Sequence, residues 1–161
     1  MPEINNDVIG KNSVKNSTAI VRFRQASLND RLFLLKLRKV SMTEHLSNAG
    51  IELDDSAHMQ RVDEYFSDSQ IICYQERAIG LIKLGQFPHK IHIRQFQLLP
   101  QYHGLGIGSK VLELLKRKAR ARQLAISLNV LLKNPAKALY LRHGFIITGE
   151  NELEYAMHWS G

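Results

Sequence analysis

The sequence predicts an α/β (α+β) fold, in which one domain contains a mixed sheet flanked by helices. Runs in which apolar and polar residues alternate, as they do in strands buried on one face, occur several times along the chain. Runs with apolar residues three and four positions apart, typical of helices packed on a sheet, lie between them. The 161 residues suit one domain with its own core, and no repeat or low-complexity linker divides them.

The N-terminal half begins with residues that have no periodic pattern. Residues 1–18 are rich in Asn, Ser and Lys, so we expect a flexible arm ahead of a single domain at residues 19–161. Residues that cap helices and form turns then separate the apolar runs. The predicted elements are a strand at Ile20–Arg24, a helix from Ser27 or Asn29 towards Val40, a second helix capped by Asp54 or Asp55, and a hairpin of Ile71–Gln75 with Ala78–Phe87.

The C-terminal half contains a strand, a glycine-rich turn and the chain's most strongly periodic helix. Asn134 is expected to cap a second helix, which has Pro135 at its favoured first position and ends at Gly144 in a left-handed cap. The predicted elements are strands at Lys90–Leu99 and Ile126–Leu132, helices at Gly108–Arg122 and Pro135–Arg142, and an antiparallel pair of Ile146–Thr148 with Tyr155–Trp159.

Composition restricts the partners and the compartment. The net charge of +7 favours anionic partners, namely nucleotide cofactors, acidic peptides or nucleic acid, without choosing among them. The single cysteine, Cys73, cannot form an internal disulfide, so we expect a reducing compartment and a cytoplasmic protein. No apolar run reaches the roughly 18 residues that a membrane span requires, so no membrane association is expected.

The glycine-rich turn is the most informative stretch of the chain. Gly104, Gly106 and Gly108 occupy every second position where a strand leads into a helix. Glycine allows close backbone approach, and the first turn of a helix offers unpaired N–H donors with partial positive charge, which suits phosphate oxygens. The alternative is a strand-to-helix turn that binds nothing. The spacing excludes a P-loop, which needs Gly-Lys-Ser/Thr, and the dinucleotide fingerprint, which needs a later acidic residue.

This stretch resembles the pyrophosphate loop of the GNAT superfamily of acyl-CoA-dependent N-acetyltransferases. The family's loop reads Gln or Arg, two residues, Gly, one residue, and Gly or Ala. The run from His103 to Gly108 is similar, with His103 in place of the usual Gln or Arg. The preceding Leu98-Leu99-Pro100 resembles the strand end whose backbone pairs with the pantetheine arm.

A second motif downstream strengthens the resemblance, because two ordered motifs are more specific than either one. Asn134-Pro135-Ala136, Leu139-Tyr140 and Gly144-Phe145 resemble the family's closing motif at its usual spacing. The motif resemblance covers about Phe96–Phe145, and the architectural resemblance covers about Ile20–Trp159.

The resemblance implies a strongly twisted sheet that splays between its fourth and fifth strands, with the arm of acetyl-CoA in the gap. His103 is expected to donate to a pyrophosphate oxygen. Asn134 resembles the position that hydrogen-bonds the arm, although a helix cap alone would also explain it. The expected cofactor contacts are the main chain of Phe96 and Leu98, the loop residues His103, Gly104, Leu105, Gly106, Ile107 and Gly108, the Ser109 side chain, and Asn134.

Two residues are candidates for catalysis. By resemblance, Tyr140 protonates the departing thiolate, and a phenol with the ordinary pKa of about 10 suits this role; the alternative is a core tyrosine. His92 lies near the position where some family members carry a catalytic glutamate, and an imidazole has a suitable pKa. Since many relatives use water instead, the general base stays open. Histidines 89, 92 and 103 lack carboxylate or cysteine companions, so no metal is expected.

The acceptor and the function class leave alternatives open. By resemblance, the candidate acceptor contacts are Arg38, Glu44 and His45, at the end of the first helix, where solvated charges are the simpler reading. The expected acceptor is an amine-bearing small molecule or peptide. The alternatives are a non-catalytic acyl-CoA-binding or regulatory module and, less favoured, a basic nucleic-acid-binding domain, which would need interleaved aromatic residues. The C-terminal strands offer an edge at which a homodimer could pair.

Overall fold

The computed structural model describes residues 20–48 and 50–161, and no side chain between residues 43 and 49. The predicted arm at residues 1–18 lies outside the described residues. A mixed sheet of seven strands forms the centre, in the order β1-β2-β3-β4-β5-β7-β6. The strands are β1 (Val21–Gln25), β2 (Ser69–Tyr74), β3 (Arg77–Gln86), β4 (Lys90–Leu98), β5 (Ala125–Leu131), β6 (Ile146–Glu150) and β7 (Glu154–Trp159).

Helices cover both faces of the sheet, which explains why β3 is buried along most of its length. On one face, Leu34 and Leu37 pack with Val62 against Ile71 and Leu81. On the other face, a larger core joins the two C-terminal helices to the sheet. The helices are α1 (Arg31–Asn48), α2 (Asp55–Asp63), α3 (Ile107–Ala121) and α4 (Ala136–Arg142).

The predicted caps explain most helix ends. The Asp54 side chain accepts a hydrogen bond from the Ala57 amide at the start of α2, and Gly144 has φ +85° after α4. Helix α4 begins at Ala136, one residue later than predicted, and the Asn134 Oδ1 atom accepts from the Ala136 amide at 2.9 Å. The fold class and the order of elements are therefore as the sequence predicts.

One basic residue of α3 is buried. Lys116 is only 8% exposed. Its ammonium lies 3.1 Å from a Glu113 carboxylate oxygen and over the Trp159 ring. The long alkyl chain of lysine can cover apolar surface while its charge is paired. The contacts with Glu113 and Trp159 therefore explain why Lys116 is buried.

Strand β4 carries the feature that shapes the site. It pairs in parallel with β5 only from Lys90 to Ile93, whereas its antiparallel pairing with β3 continues to Leu98. Arg94 is an extra residue in the β3–β4 register, since Ile93 pairs with Leu84 and Gln95 pairs with Lys83. A bulge of this kind bends a strand and increases its twist. The predicted splay between β4 and β5 is consistent with this pairing.

Candidate active site

The glycine turn gives α3 an open N-terminus. Gly104 and Gly106 have φ of +71° and +77°, which side chains other than glycine rarely adopt. A Cβ built on either glycine would meet no atom within 4 Å, so the space above the turn is free. The Lys110 amide is the first of the helix to bond back, to the Gly106 carbonyl at 3.2 Å. The preceding amides of the first turn are therefore available to an anion.

Gly108, the third glycine of the motif, contributes to helix packing instead of to the turn. Gly108 has no positive φ, and a Cβ on it would lie 3.1 Å from Cδ2 of Leu139. Gly108 thus allows α3 and α4 to pack closely, which brings the ends of the two helices together. Only Gly104 and Gly106 give the turn its shape.

His103 is held at the end of β4. Its Nε2 atom lies 2.9 Å from the carbonyl oxygen of Leu98, which makes this nitrogen a donor. The imidazole can donate to a second acceptor through Nδ1 only when it is protonated. A bond from His103 to a pyrophosphate therefore stays a prediction, and the turn itself is fixed by the contact with Leu98.

A gap between β4 and β5 brings several predicted residues together. Phe96 of β4, Asn134 and Tyr140 all line this cavity of about 130 Å³, which opens where the two strands stop pairing. The Asn134 Oδ1 atom is used by the helix cap, which leaves its Nδ2 amide free to donate into the gap. Leu98 does not line the gap, since it lies further along the strand.

Tyr140 is buried beside the gap, with its ring edge-on to Phe145 at 5.6 Å between centroids. Its hydroxyl makes no hydrogen bond among the described residues. Burial raises the pKa of Tyr140 to about 12, so the phenol keeps its proton at neutral pH. It is a weaker acid than the sequence suggests, because the ordinary pKa of a tyrosine is about 10. Tyr140 is thus suited to donating a hydrogen bond to a developing thiolate.

A second and larger cavity, of about 580 Å³, lies between the α1–α2 segment and strands β3 and β4. It adjoins the gap, because Arg94 and Gln95 line both. His92 also lines it, with Nδ1 2.7 Å from the Ser127 hydroxyl and Nε2 without a partner among the described residues. Burial, then Lys90 and Arg94, lower the pKa of His92, which favours the neutral imidazole.

The structure places the predicted acceptor residues unevenly. Arg38 lines the larger cavity and is buried there. Glu44 and His45 belong to the last turns of α1, where side chains lie outside the described part of the structure. Of this set, only Arg38 can be assigned to the cavity.

Comparison with known families settles the class of protein. Residues 35–145 match the acetyltransferase (GNAT) family, which is more than half of the chain. The chain belongs to the GNAT acetyltransferase family. The match includes the glycine turn, the gap, and the closing motif up to Phe145.

Solved structures share this GNAT fold. A PaiA N-acetyltransferase from Thermoplasma acidophilum in complex with coenzyme A has a TM-score of 0.69 at 18% identity, covering 88% of this chain and 99% of its own. An acetyltransferase from Thermus thermophilus has a TM-score of 0.70 at 16% identity, covering 88% and 97%. Arabidopsis thaliana Naa50, bound to the bisubstrate analogue CoA-Ac-MVNAL, has a TM-score of 0.64 at 20% identity, covering 88% and 99%. No curated protein matches the sequence.

The sequence does not predict three residues of this acetyltransferase site, namely Glu113, His143 and Glu154. His143, at the end of α4, contacts both Ser109 and Glu113 of α3. Glu154 of β7 is the one carboxylate among the described residues lining the gap. The spacing of Ser109 and Glu113, one helical turn apart, is a signal that they share a face, but nothing local indicates that His143 or Glu154 approaches the site.

Two wider properties complete the description. Among the described residues, no helix has the length and apolar character to cross a membrane. Within the same part of the chain, no three His, Cys, Asp or Glu side chains are grouped as metal ligands.

Proposed function

We propose that this GNAT protein is an N-acetyltransferase that moves an acetyl group from acetyl-CoA to a primary amine of a small molecule or peptide. The amine attacks directly in a ternary complex. One observation carries the proposal: the gap at Tyr140 and the larger cavity at His92 adjoin each other at Arg94 and Gln95. Two ligands bound in these cavities would meet at the bend of β4.

The residues present fit coenzyme A. The open amides at the start of α3 and the Ser109 hydroxyl offer donors to its pyrophosphate, while Gly104 and Gly106 leave room for it. The Asn134 Nδ2 amide and the edge of β4 beyond Ile93, unpaired with β5, can bind the pantetheine arm. Acetyl-CoA supplies the acetyl group as a thioester. One or two cations on the outer face of α3 are available to its 3′-phosphate.

Two groups of the chain can stabilise the charges that develop during acetyl transfer. A main-chain N–H on the free edge of β4, around Phe96, can stabilise negative charge on the carbonyl oxygen. The Tyr140 hydroxyl can donate to the departing sulfur. Its high pKa means that it stabilises the thiolate mainly as a hydrogen-bond donor, and full proton transfer follows more slowly or comes from water.

The acceptor amine must lose a proton before or during attack. His92 is the first candidate base, because its lowered pKa keeps it neutral and its Nε2 atom is free when Nδ1–H donates to Ser127. Glu154, which lines the gap, is a second candidate that the structure adds. The cations around the larger cavity also lower the pKa of a bound ammonium, which assists either base or water.

The decisive experiment measures coenzyme A binding and turnover on the purified protein. We expect calorimetric binding of acetyl-CoA, amine-dependent release of free thiol, and initial-rate lines that intersect, as a ternary complex requires, instead of the parallel lines of a ping-pong mechanism. Binding without turnover on a broad amine panel would favour the non-catalytic module. Absence of binding, with steeply salt-dependent affinity for DNA or RNA, would favour the nucleic-acid-binding alternative.

Three further expectations belong to this proposal. The cytoplasmic compartment follows from the single cysteine. A homodimer would pair at β6, the edge strand of the sheet, where Ile146 and Ile147 are exposed. The domain is expected to span residues 19–161.

A further inference from the structure

The larger cavity has an excess of positive charge that the transfer of an acetyl group to a simple amine does not require. Among the described residues, four cations line it together with one carboxylate, Glu64; the cations are Arg38, Arg61, Lys83 and Arg94. An ammonium entering such a site meets repulsion instead of attraction. The cavity therefore needs an explanation in terms of what it binds.

Two of the four cations are neutralised locally. Arg61 lies 3.1 Å from the Glu64 carboxylate. The Arg94 Nε atom lies 2.9 Å from Asp68, and its guanidinium stacks 3.7 Å from the centre of the Tyr65 ring. Gly85 makes this position possible, because a Cβ there would lie 2.8 Å from Arg94 Nη2. Arg38 and Lys83 form no ion pair among the described residues, and both share the single carboxylate of the lining, Glu64, with Arg61.

Lys83 creates a fixed positive potential under the cavity. It is only 3% exposed, and its ammonium donates to the carbonyl oxygens of Arg61, Val62 and Glu64 at the end of α2. These three acceptors use all its donors but carry no net charge. Burial lowers the pKa of Lys83, as expected for a charge that is poorly compensated.

Among the described residues, Arg38 is the cation of this cavity that makes no hydrogen bond or ion pair. It is 8% exposed, its Nε atom is buried without a hydrogen-bond partner, and its guanidinium makes no hydrogen bond or ion pair among the described residues. Burial, and then Arg61, lower the pKa of Arg38. A buried guanidinium without an anion is costly, and its planar fork of donors matches the two oxygens of a carboxylate or the oxygens of a phosphate.

We propose that the acceptor of this site is a small amine that also carries an oxyanion, and that Arg38 binds this oxyanion in the larger cavity. The inference rests on the proposed function and narrows its acceptor. The anion would pair with Arg38, and the positive charge of Lys83 would also attract it. The amine would lie towards His92 and the bend of β4. The same charges disfavour polyamines, whose second ammonium would replace the anion.

The test compares amines in matched pairs. Amino acids are assayed beside their amides, and phosphoethanolamine beside ethanolamine, with spermidine as the cationic member. The first readout is the thermal shift of the protein with each amine alone, which needs no turnover. The second is the KM of each amine with acetyl-CoA. We expect at least one carboxylate- or phosphate-bearing amine to shift the melting temperature and to show a KM about tenfold or more below that of its neutral counterpart.

Substitution of Arg38 locates the effect. In Arg38→Met the preference for the charged member of a pair is lost, the KM for acetyl-CoA is unchanged, and Arg38→Lys restores part of the preference. The free protein keeps or gains thermal stability, because the substitution removes a buried charge that has no partner in the described part of the chain. The control is Arg22→Met, which removes an exposed cation of β1 that is paired with Glu76. This variant retains the preference.

The outcomes separate the inference from the proposed function. Normal acetylation of neutral amines or spermidine, with no advantage for the charged partners, overturns the inference and leaves the acetyltransferase in place. The absence of any shift with the carboxylate and phosphate amines also overturns it. Failure to bind acetyl-CoA would overturn the proposed function, whereas the thermal shifts with the amines alone would still test the anion site. If Arg38→Met fails to fold, the matched pairs on the unmodified protein decide.

Discussion

His143 Nε2 lies 3.0 Å from the Ser109 hydroxyl oxygen, while Nδ1 of the same ring lies 3.0 Å from a Glu113 carboxylate oxygen. Lys116 and His143 lower the pKa of Glu113, so this carboxylate is ionised and accepts a hydrogen bond from Nδ1–H. In a neutral ring Nε2 is then an acceptor, and the Ser109 hydroxyl donates to it. Ser109 can donate to a phosphate oxygen only if it releases His143 or if Nε2 is protonated.

This contact predicts that His143 and Glu113 position the Ser109 hydroxyl for coenzyme A. The His143 ring holds the hydroxyl in the first turn of α3, where the pyrophosphate is expected, and Glu113 holds the ring. Calorimetric titration with coenzyme A measures the affinity.

The matched variants are Glu113→Gln and His143→Gln. Each should weaken coenzyme A binding by about three- to tenfold, since one hydrogen bond is lost or misdirected. Arg22→Met, which removes an exposed cation paired with Glu76, should leave the affinity unchanged. An unaltered affinity in His143→Gln would refute the role of this residue.

Gly106 is predicted to be essential for the cofactor and nearly dispensable for the fold. Gly106→Ala adds a methyl group into open space, so the cost to stability is mainly the left-handed φ, about 1 kcal/mol. The same methyl group stands where the pyrophosphate is expected, and affinity for coenzyme A should fall more than tenfold. Binding is measured by calorimetry and stability by thermal unfolding.

Gly50 provides a matched control for this prediction. It has nearly the same φ, +72°, and an equally open Cβ position, but it precedes α2. Gly50→Ala should therefore show a similar loss of stability with unchanged coenzyme A affinity. Equal affinities in Gly106→Ala and the unsubstituted protein would remove the glycine turn from the cofactor site.

The fold could be predicted because its signals are local. Helical spacing, the cap at Asp54 and the left-handed end at Gly144 each act within a few residues, and the structure follows them. The glycine turn was visible for the same reason. The close packing of Gly108 against Leu139 has no local signal, because Leu139 lies on another helix.

The sequence contains a sign of the bulge in β4, which is interpretable only with the strand pairing at hand. Apolar residues occupy positions 91 and 93 and then 96 and 98, so the alternation shifts by one residue at Arg94. A strand with one extra residue restores the register, as the pairing with β3 shows. The burial of Lys116 and the approach of Glu154 depend instead on contacts between distant elements, which a single sequence does not specify.

Tyr140→Phe tests the hydrogen bond to the departing sulfur. The ring keeps its contact with Phe145, and the lost hydroxyl has no partner among the described residues, so thermal stability should stay equal or rise. We expect kcat to fall by about 10- to 100-fold with little change in either KM, because the interaction forms mainly in the transition state. Steady-state thiol release gives both constants, and an unchanged kcat would return Tyr140 to the role of a core residue.

His92 is expected to set the acid limb of the pH profile. Since its pKa is lowered, the neutral form dominates at pH 7, and kcat/KM should fall only as the pH drops below the ordinary histidine value of 6.5 and the ring gains a proton. His92→Gln should lower kcat/KM at neutral pH by about 10- to 100-fold and remove this limb. Glu154→Gln is the comparison: a limb that persists in His92→Gln but disappears in Glu154→Gln would assign the base to the carboxylate. If the limb persists in both variants, the amine loses its proton to water, and His92 serves to shape the cavity through Ser127.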